Sequence, residues 1–138
     1  MLLRKPNTRR AGSALIEAAI VVPIILLLLY GTICGAFMVL TVDEVETAAR
    51  EGARYGSVRG SSYAFNTLNP AATAEDITAF VKAQGATLKA TLITCNVTWE
   101  SSNRPGNYVT VEVKYAWPGV GPFGAREFVA RSSALVSY

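Results

Sequence analysis

An uncharged stretch from Ala18 to Val42 constrains the fold of this chain more than any other feature of its sequence. As an α-helix rising 1.5 Å per residue it would be about 37 Å long, whereas the hydrocarbon core of a bilayer is about 30 Å thick. The stretch can therefore cross a membrane once, with some tilt. Pro23 lies inside it and is expected to kink the helix or to loosen one backbone hydrogen bond.

Charged residues flank this stretch asymmetrically. Four basic residues precede it and three acidic residues follow it closely: Arg4, Lys5, Arg9 and Arg10, then Asp43, Glu44 and Glu46. The positive-inside rule predicts that residues 1–12 stay in the cytoplasm and that the chain from Asp43 onward lies outside it. Because the basic excess belongs to the leader, the outer part is formally neutral and shows no basic face of the kind that binds nucleic acid.

Two other kinds of membrane-targeting segment share this pattern. A cleaved secretory signal also joins a basic region to an apolar one, but its apolar part is usually about 7 to 15 residues long. No convincing small-x-small cleavage motif follows Leu29, so this interpretation fits poorly. An uncleaved signal anchor, which would leave a permanent single-pass helix, remains an open alternative.

Glu17 is an acidic residue at the edge of the apolar stretch, five positions after Gly12. A carboxylate deep in hydrocarbon costs roughly 2 to 3 kcal/mol on insertion scales, so such a residue usually has a functional partner. The alternative is that Glu17 reaches the lipid headgroups and has no role, because Arg9 and Arg10 place it near the interface.

Gly31 and Gly35 form a small-x-x-x-small pattern within the stretch. This spacing puts both glycines on one helix face and lets the backbone of another membrane helix approach closely. Glycine is common in membrane helices, so chance also explains the pattern.

The helix is predicted to continue beyond the membrane as an amphipathic segment that ends before Gly60. Small and apolar residues recur there at three- and four-residue spacing: Val42, Val45, Ala49, Gly52 and Gly56. The predicted divisions are a basic cytoplasmic leader, a transmembrane helix, an amphipathic continuation and a small extracytoplasmic domain: 1–12, 13–42, 43–60 and 61–138.

The outer domain is predicted to be α+β. Asn69 and Pro70, followed by Thr73 and Asp76, indicate the start of a short helix that ends at Gly85. Two segments then alternate apolar and polar residues, Ile93–Trp99 and Val109–Tyr115, and a last strand, from about Glu127 to Val136, is expected after a loop rich in proline and glycine. About three antiparallel strands are therefore predicted. So small a domain has room for little core of its own, and packing against the long helix is expected.

The sequence offers little for catalysis. It contains no histidine, the commonest general base and metal ligand. Its two cysteines, Cys34 and Cys95, lie in different environments and do not make a structural zinc site or a disulfide framework. We therefore predict a protein that is not an enzyme and holds neither metal nor cofactor.

Two blocks of sequence resemble a known family. Gly12-Ser13-Ala14-Leu15-Ile16-Glu17 resembles the processing site of type IV prepilins, with a basic leader, a small residue before the cut and a glutamate fifth in the mature chain. Ala48–Tyr55 resembles the block after the hydrophobic helix of TadE-like proteins, the minor pseudopilins of tight-adherence (Flp, type IVb) pili. One departure is Ala18, where such pseudopilins usually carry an aromatic residue.

The resemblance implies assembly into a pilus in place of catalysis. A prepilin peptidase would cut between Gly12 and Ser13, and Glu17 would then pair with the terminal amine of a neighbouring subunit. Gly31 and Gly35 would serve helix packing with other pilins or pseudopilins and with the assembly platform of the bacterial inner membrane. The alternative is a permanent single-pass envelope protein whose outer domain binds a partner.

Overall fold

The computed structural model describes residues 8–63, 70–85, 87–121 and 123–137, with side chains from residue 12 onward except at position 63. Arg4, Lys5 and Asn69, and the side chains of Arg9 and Arg10, lie outside the described part. The elements are a long helix, a short helix and three strands, with 3₁₀ turns at Ser61–Tyr63 and Ala90–Leu92: α1 Thr8–Val58, α2 Ala74–Gln84, β1 Ile93–Trp99, β2 Tyr108–Trp117 and β3 Arg126–Leu135. This order confirms the predicted α+β class.

The chain divides into two compact units, Met1–Phe37 and Met38–Tyr138. The described residues of the first unit all belong to α1, and Pro23 lies inside that helix. The large apolar residues between Leu15 and Leu29 are exposed to solvent. Their exposed fractions lie between 44%, at Val21, and 73%, at Leu15. This surface suits lipid or other apolar helices, and it is unfavourable in water.

The C-terminal part of α1 supplies the core of the second unit. Four residues of the predicted inward stripe are buried, Val45, Ala49, Gly52 and Gly56, whereas Val42 at its start is only partly buried. A β-carbon added to Gly52 would lie 2.6 Å from Val81 Cγ2, and one added to Gly56 would lie 2.9 Å from Ile77 Cδ1. Glycine is therefore needed where α2 approaches α1. Since position 52 meets 81 and position 56 meets 77, the two helices run antiparallel.

The short helix α2 begins where the sequence predicts. The Thr73 hydroxyl accepts a hydrogen bond from the Asp76 backbone N–H at 3.2 Å, and the Asp76 carboxylate accepts one from the Thr73 backbone N–H at 3.0 Å. Hydrogen bonds from Thr73, first from its backbone and then from its side chain, hold the pKa of Asp76 below its ordinary value. This capping box fixes the helix start, and Gly85 caps the other end as predicted.

The sheet is antiparallel throughout, in the order β1-β2-β3. Register places Val113 between Cys95 of β1 and Ala130 of β3. Alternate side chains of the central strand face the helices and are buried: Val109, Val111, Val113, Tyr115 and Trp117. The opposite face of the sheet is polar and open, as is common for antiparallel sheets.

A charged cluster on this open face should make the stability of the domain depend on pH. The Arg131 Nε donates to the Glu112 carboxylate at 3.1 Å, and Lys114 Nζ lies 3.3 Å from its other oxygen. Hydrogen bonds from Arg131 and then Lys114 lower the pKa of Glu112 from its ordinary 4.5. Because the folded pKa is the lower one, Glu112 stabilises the fold above pH 4.5, and this contribution disappears as the pH falls through the folded value.

Replacing Glu112 by glutamine should therefore lower the urea midpoint of unfolding at pH 7 and weaken its fall below pH 4.5. The measurement is urea unfolding of the full chain in detergent at pH 7 and pH 3. Glu127→Gln is the matched control, since Glu127 lies on the same sheet and makes no ion pair with the described side chains. Equal pH profiles for Glu112→Gln and the unsubstituted chain would contradict the assignment.

Candidate functional site

The residues predicted to serve processing and assembly all lie in the N-terminal part of α1. Gly12, Ser13 and Glu17 occupy its first turns, and all three are exposed. Among the described side chains Glu17 has no ion-pair partner. A single copy therefore presents this carboxylate outward, where a group from another molecule can reach it.

Gly31 and Gly35 lie further along the same helix and leave an open strip on its surface. A β-carbon added to either one would meet nothing within 4 Å. Between them, the Thr32 hydroxyl donates to the Leu28 carbonyl at 2.7 Å, so its hydrogen-bonding need is met inside the helix. The strip can accept the close approach of a second helix without exposing an unpaired polar group to lipid.

The block at Ala48–Tyr55 has a structural role in the second unit. Ala48, Ala49 and Ala53 are each no more than 2% exposed, and they alternate with the exposed Arg50 and Arg54. The sequence marked this block as a family feature, and the packing gives the physical reason. Small residues let α2 and β2 pack directly on the helix backbone.

An aromatic cluster also joins α1 to α2. The Tyr55 ring stacks on Phe80 with centroids 4.5 Å apart, and the Arg59 guanidinium lies 4.5 Å from the Tyr55 ring centroid. Arg59 also donates to the Tyr55 hydroxyl at 2.7 Å. Sequence alone does not reveal this cluster, because Phe80 is remote in sequence from the other two residues. The spacing of four positions between Tyr55 and Arg59 predicts only that these two side chains are neighbours on one face of α1.

The described residues contain no group of three or more His, Cys, Asp and Glu side chains that could hold a metal ion. Cys95 is half-buried beside α2, and burial raises the pKa of its thiol, although Thr78 and Lys82 act in the opposite direction. A raised thiol pKa leaves less thiolate at neutral pH and makes this cysteine a poor nucleophile.

One helix within the described part, Gly12–Val58, is long and apolar enough to cross a membrane. This finding is compatible with a single-pass anchor. The predicted orientation, with the leader in the cytoplasm, rests on the flanking charges alone.

Comparison with known protein families gives a match to part of the chain. Residues 12–54 match the model of the family described as TadE-like protein. The match begins at Gly12 and ends inside the second block, at Arg54, so it confirms the resemblance to TadE-like proteins. No curated protein and no solved structure matches the chain. The TadE-like family is associated with Tad pili and is not a known enzyme family.

Proposed function

We propose, from the TadE-like match over residues 12–54, that this chain is a minor pseudopilin that helps to assemble or initiate a tight-adherence pilus. The observation that carries the proposal is that this match includes an apolar 18-residue window of α1 in which no residue is buried within the described part of the chain. Burying such surface is worth about 25 cal/mol for each Å² removed from water, so the helix belongs in lipid or against other apolar helices. Lateral packing of this helix is the proposed mode of action.

The proposal places the predicted segments along one pathway. Residues 1–12 form the cytoplasmic leader, 13–42 span the bacterial inner membrane, and 43–60 continue the helix to the outer domain at 61–138. A prepilin peptidase would remove the leader, and the mature chain would then meet other pilins or pseudopilins at the inner-membrane assembly platform. The open strip at Gly31 and Gly35 supports helix packing at that stage.

Glu17 acquires a partner once the leader is removed. Cleavage after Gly12 leaves Ser13 with a charged amine, and a neighbouring subunit can place this amine beside the exposed Glu17 carboxylate. In a medium of low dielectric constant an unpaired charge is costly and opposite charges attract strongly, so the pair rewards one register of the two helices. If the same two helices packed in another register, the Glu17 carboxylate and the Ser13 amine would both be unpaired.

The test is the N-terminus of the protein, determined by intact mass and N-terminal sequencing after purification from membranes of a host that has its own prepilin peptidase. The expected chain begins at Ser13, with or without a methyl group on its amine. Gly12→Leu should leave the chain beginning at Met1, because the resemblance implies that the peptidase needs a small residue before the cut.

Gly31→Leu is the matched control and should be processed normally, since position 31 lies inside the span, remote from the predicted cut. If the unsubstituted chain itself still begins at Met1, the permanent single-pass anchor replaces the pilin pathway. The outer domain would then carry the function through a binding partner.

A further inference from the structure

We propose that the two open edges of the three-stranded sheet join copies of this chain head to tail, with β3 of one copy beside β1 of the next. The inference goes beyond the proposed function and rests on it in one respect. Copies anchored in one membrane by the same N-terminal helix point in the same direction.

Strand direction determines which edges can meet. Both β1 and β3 run antiparallel to β2, so they run parallel to each other. Copies that point the same way can therefore add β3 of one to β1 of the next as a parallel pair. Joining two β3 edges as an antiparallel pair would reverse one copy relative to the other. A contact between different edges is heterologous, so it can repeat along a growing assembly.

The two edges carry few of the features that usually prevent such pairing: β1 has none of them, and β3 has charged residues only at Arg126, Glu127 and Arg131. β1 contains neither a charged residue nor a proline, and Thr94, Asn96 and Thr98 are exposed along it. β3 presents Val129 near its middle, with 54% of this residue exposed. Edge strands in monomeric proteins commonly carry lysine, proline or a bulge at such positions, because unpaired backbone groups otherwise invite another strand.

A groove follows each edge. The groove at β1 has a volume of about 450 Å³, and charged side chains of α2 line it together with three strand residues: Glu75, Lys82, Cys95, Asn96 and Val97. The groove at β3 has a volume of about 290 Å³ and lies between α1 and the strand: Glu46, Arg50, Val129, Ala130 and Arg131. Each edge is thus accompanied by a helix on the same face of the sheet, α2 at β1 and α1 at β3.

The charges on these two helices are complementary in order. From the N-terminal to the C-terminal end of α1, Glu46 comes before Arg50. Because α2 runs antiparallel to α1, Lys82 comes before Glu75 in that same direction. A continuous sheet would bring α1 of one copy beside α2 of the next. Within one copy Gly52 meets Val81, so Lys82 is level with position 51 of α1 and Glu75 with position 58. The proposed junction therefore displaces the next copy along α1 by about 8 to 12 Å. The acidic and basic residues of α1 then face the basic and acidic residues of α2, and Glu46 can pair with Lys82, and Arg50 with Glu75.

All four side chains are exposed, and two of them already pair with each other within one copy. Within one copy Glu46 and Arg50 bind each other at 2.9 Å, with 47% and 70% of their side chains exposed. Neither Glu75 nor Lys82 makes an ion pair with the described side chains. The complementarity between two edges of the same molecule identifies a second copy of this chain as the occupant of each groove.

The first test uses charge reversal on the full chain in detergent, with self-association measured by analytical ultracentrifugation. Glu46→Lys and Lys82→Glu should each raise the apparent dissociation constant roughly tenfold or more, because each places like charges across the junction. The double variant, and an equal mixture of the two single variants, should both recover association, since opposite charges then face each other again. Glu51→Lys, the same change at another position of α1, should have no effect.

The second test addresses the strand edge itself. Val129→Lys should reduce association, because an edge lysine opposes strand addition. Val58→Lys changes an exposed valine of α1 away from both grooves and serves as its control. The thermal unfolding midpoint of each variant should equal that of the unsubstituted chain, which separates lost association from lost folding.

Unchanged association of both Glu46→Lys and Val129→Lys would overturn the proposed junction. Failure of the mixture to recover association would also overturn it. If Glu17→Gln impaired assembly and the edge variants did not, packing of the N-terminal helices alone would account for assembly. The proposed junction would then be wrong, and the proposed function would stand. If the chain began at Met1 while the edge variants still lost association, the pseudopilin assignment would fail and the junction would stand.

Discussion

Replacing Gly52 by valine is expected to unfold the compact unit Met38–Tyr138, with a loss of roughly 3 kcal/mol or more in its free energy of unfolding. A β-carbon at this position would lie 2.6 Å from Val81 Cγ2 and 3.3 Å from Val111 Cγ1. Both valines are fully buried, and their branched side chains have little rotamer freedom. The neighbours therefore cannot move aside, and α2 must separate from α1.

The measurement is urea unfolding of the full chain in detergent, followed by circular dichroism. Gly35→Val is the matched control, because it makes the same change in the same helix where no atom lies within 4 Å of the added β-carbon. Gly52→Ala tests the mechanism further. Alanine favours helix by about 1 kcal/mol over glycine, so a lower midpoint for this variant can only come from the steric clash. Equal midpoints for Gly52→Val and Gly35→Val would contradict the packing.

The role of Gly52 also shows how much of the fold can be read from the sequence. Small residues at three- and four-residue spacing predict that something packs closely on α1, and this part was confirmed. The identity of the packing partner could not be predicted. Val81 belongs to α2 and Val111 to β2, so both contacts with Gly52 join residues that are far apart in sequence. Local sequence patterns do not predict such contacts.

The sheet illustrates the same limit. Alternating apolar and polar residues predicted β1 and β2, a loop rich in proline and glycine predicted that β3 follows it, and the capping residues Thr73 and Asp76 located the start of α2. The central strand nevertheless extends to Trp117, because Arg126 of β3 pairs with it and prolongs the ladder. Register likewise brings Arg131 opposite Glu112. Single-strand alternation contains no information on such cross-strand pairs, so the sequence could not predict the charged cluster.

At the candidate site the sequence predicts which residues act but not the groups that they contact. Gly12 and Ser13 were identified through resemblance, and the glycine pair at 31 and 35 through spacing. The described structure places all of them on an open helix surface. Their proposed partners belong to other molecules, so a single folded chain leaves these predictions to experiment.

Replacing Glu17 by glutamine is expected to impair pilus assembly while leaving membrane insertion intact. Glutamine keeps the size and shape of the side chain but removes its charge. Insertion should not suffer, because an ionised carboxylate in hydrocarbon costs roughly 2 to 3 kcal/mol and the amide costs less. Pairing with the Ser13 amine of a neighbour should be lost. Co-purification with pilus components should then fall roughly tenfold, which corresponds to about 1.4 kcal/mol.

Three readouts on the same membranes separate the possible causes. Carbonate extraction and N-terminal sequencing report insertion and processing, and affinity co-purification reports assembly. Glu51→Gln, on the part of α1 that belongs to the second unit, should leave all three unchanged. If Glu17→Gln is inserted and processed normally and still co-purifies like the unsubstituted chain, then Glu17 has no pairing role. Loss of processing instead would mean that the carboxylate serves recognition by the peptidase, because the chain would fail before any neighbour could meet it.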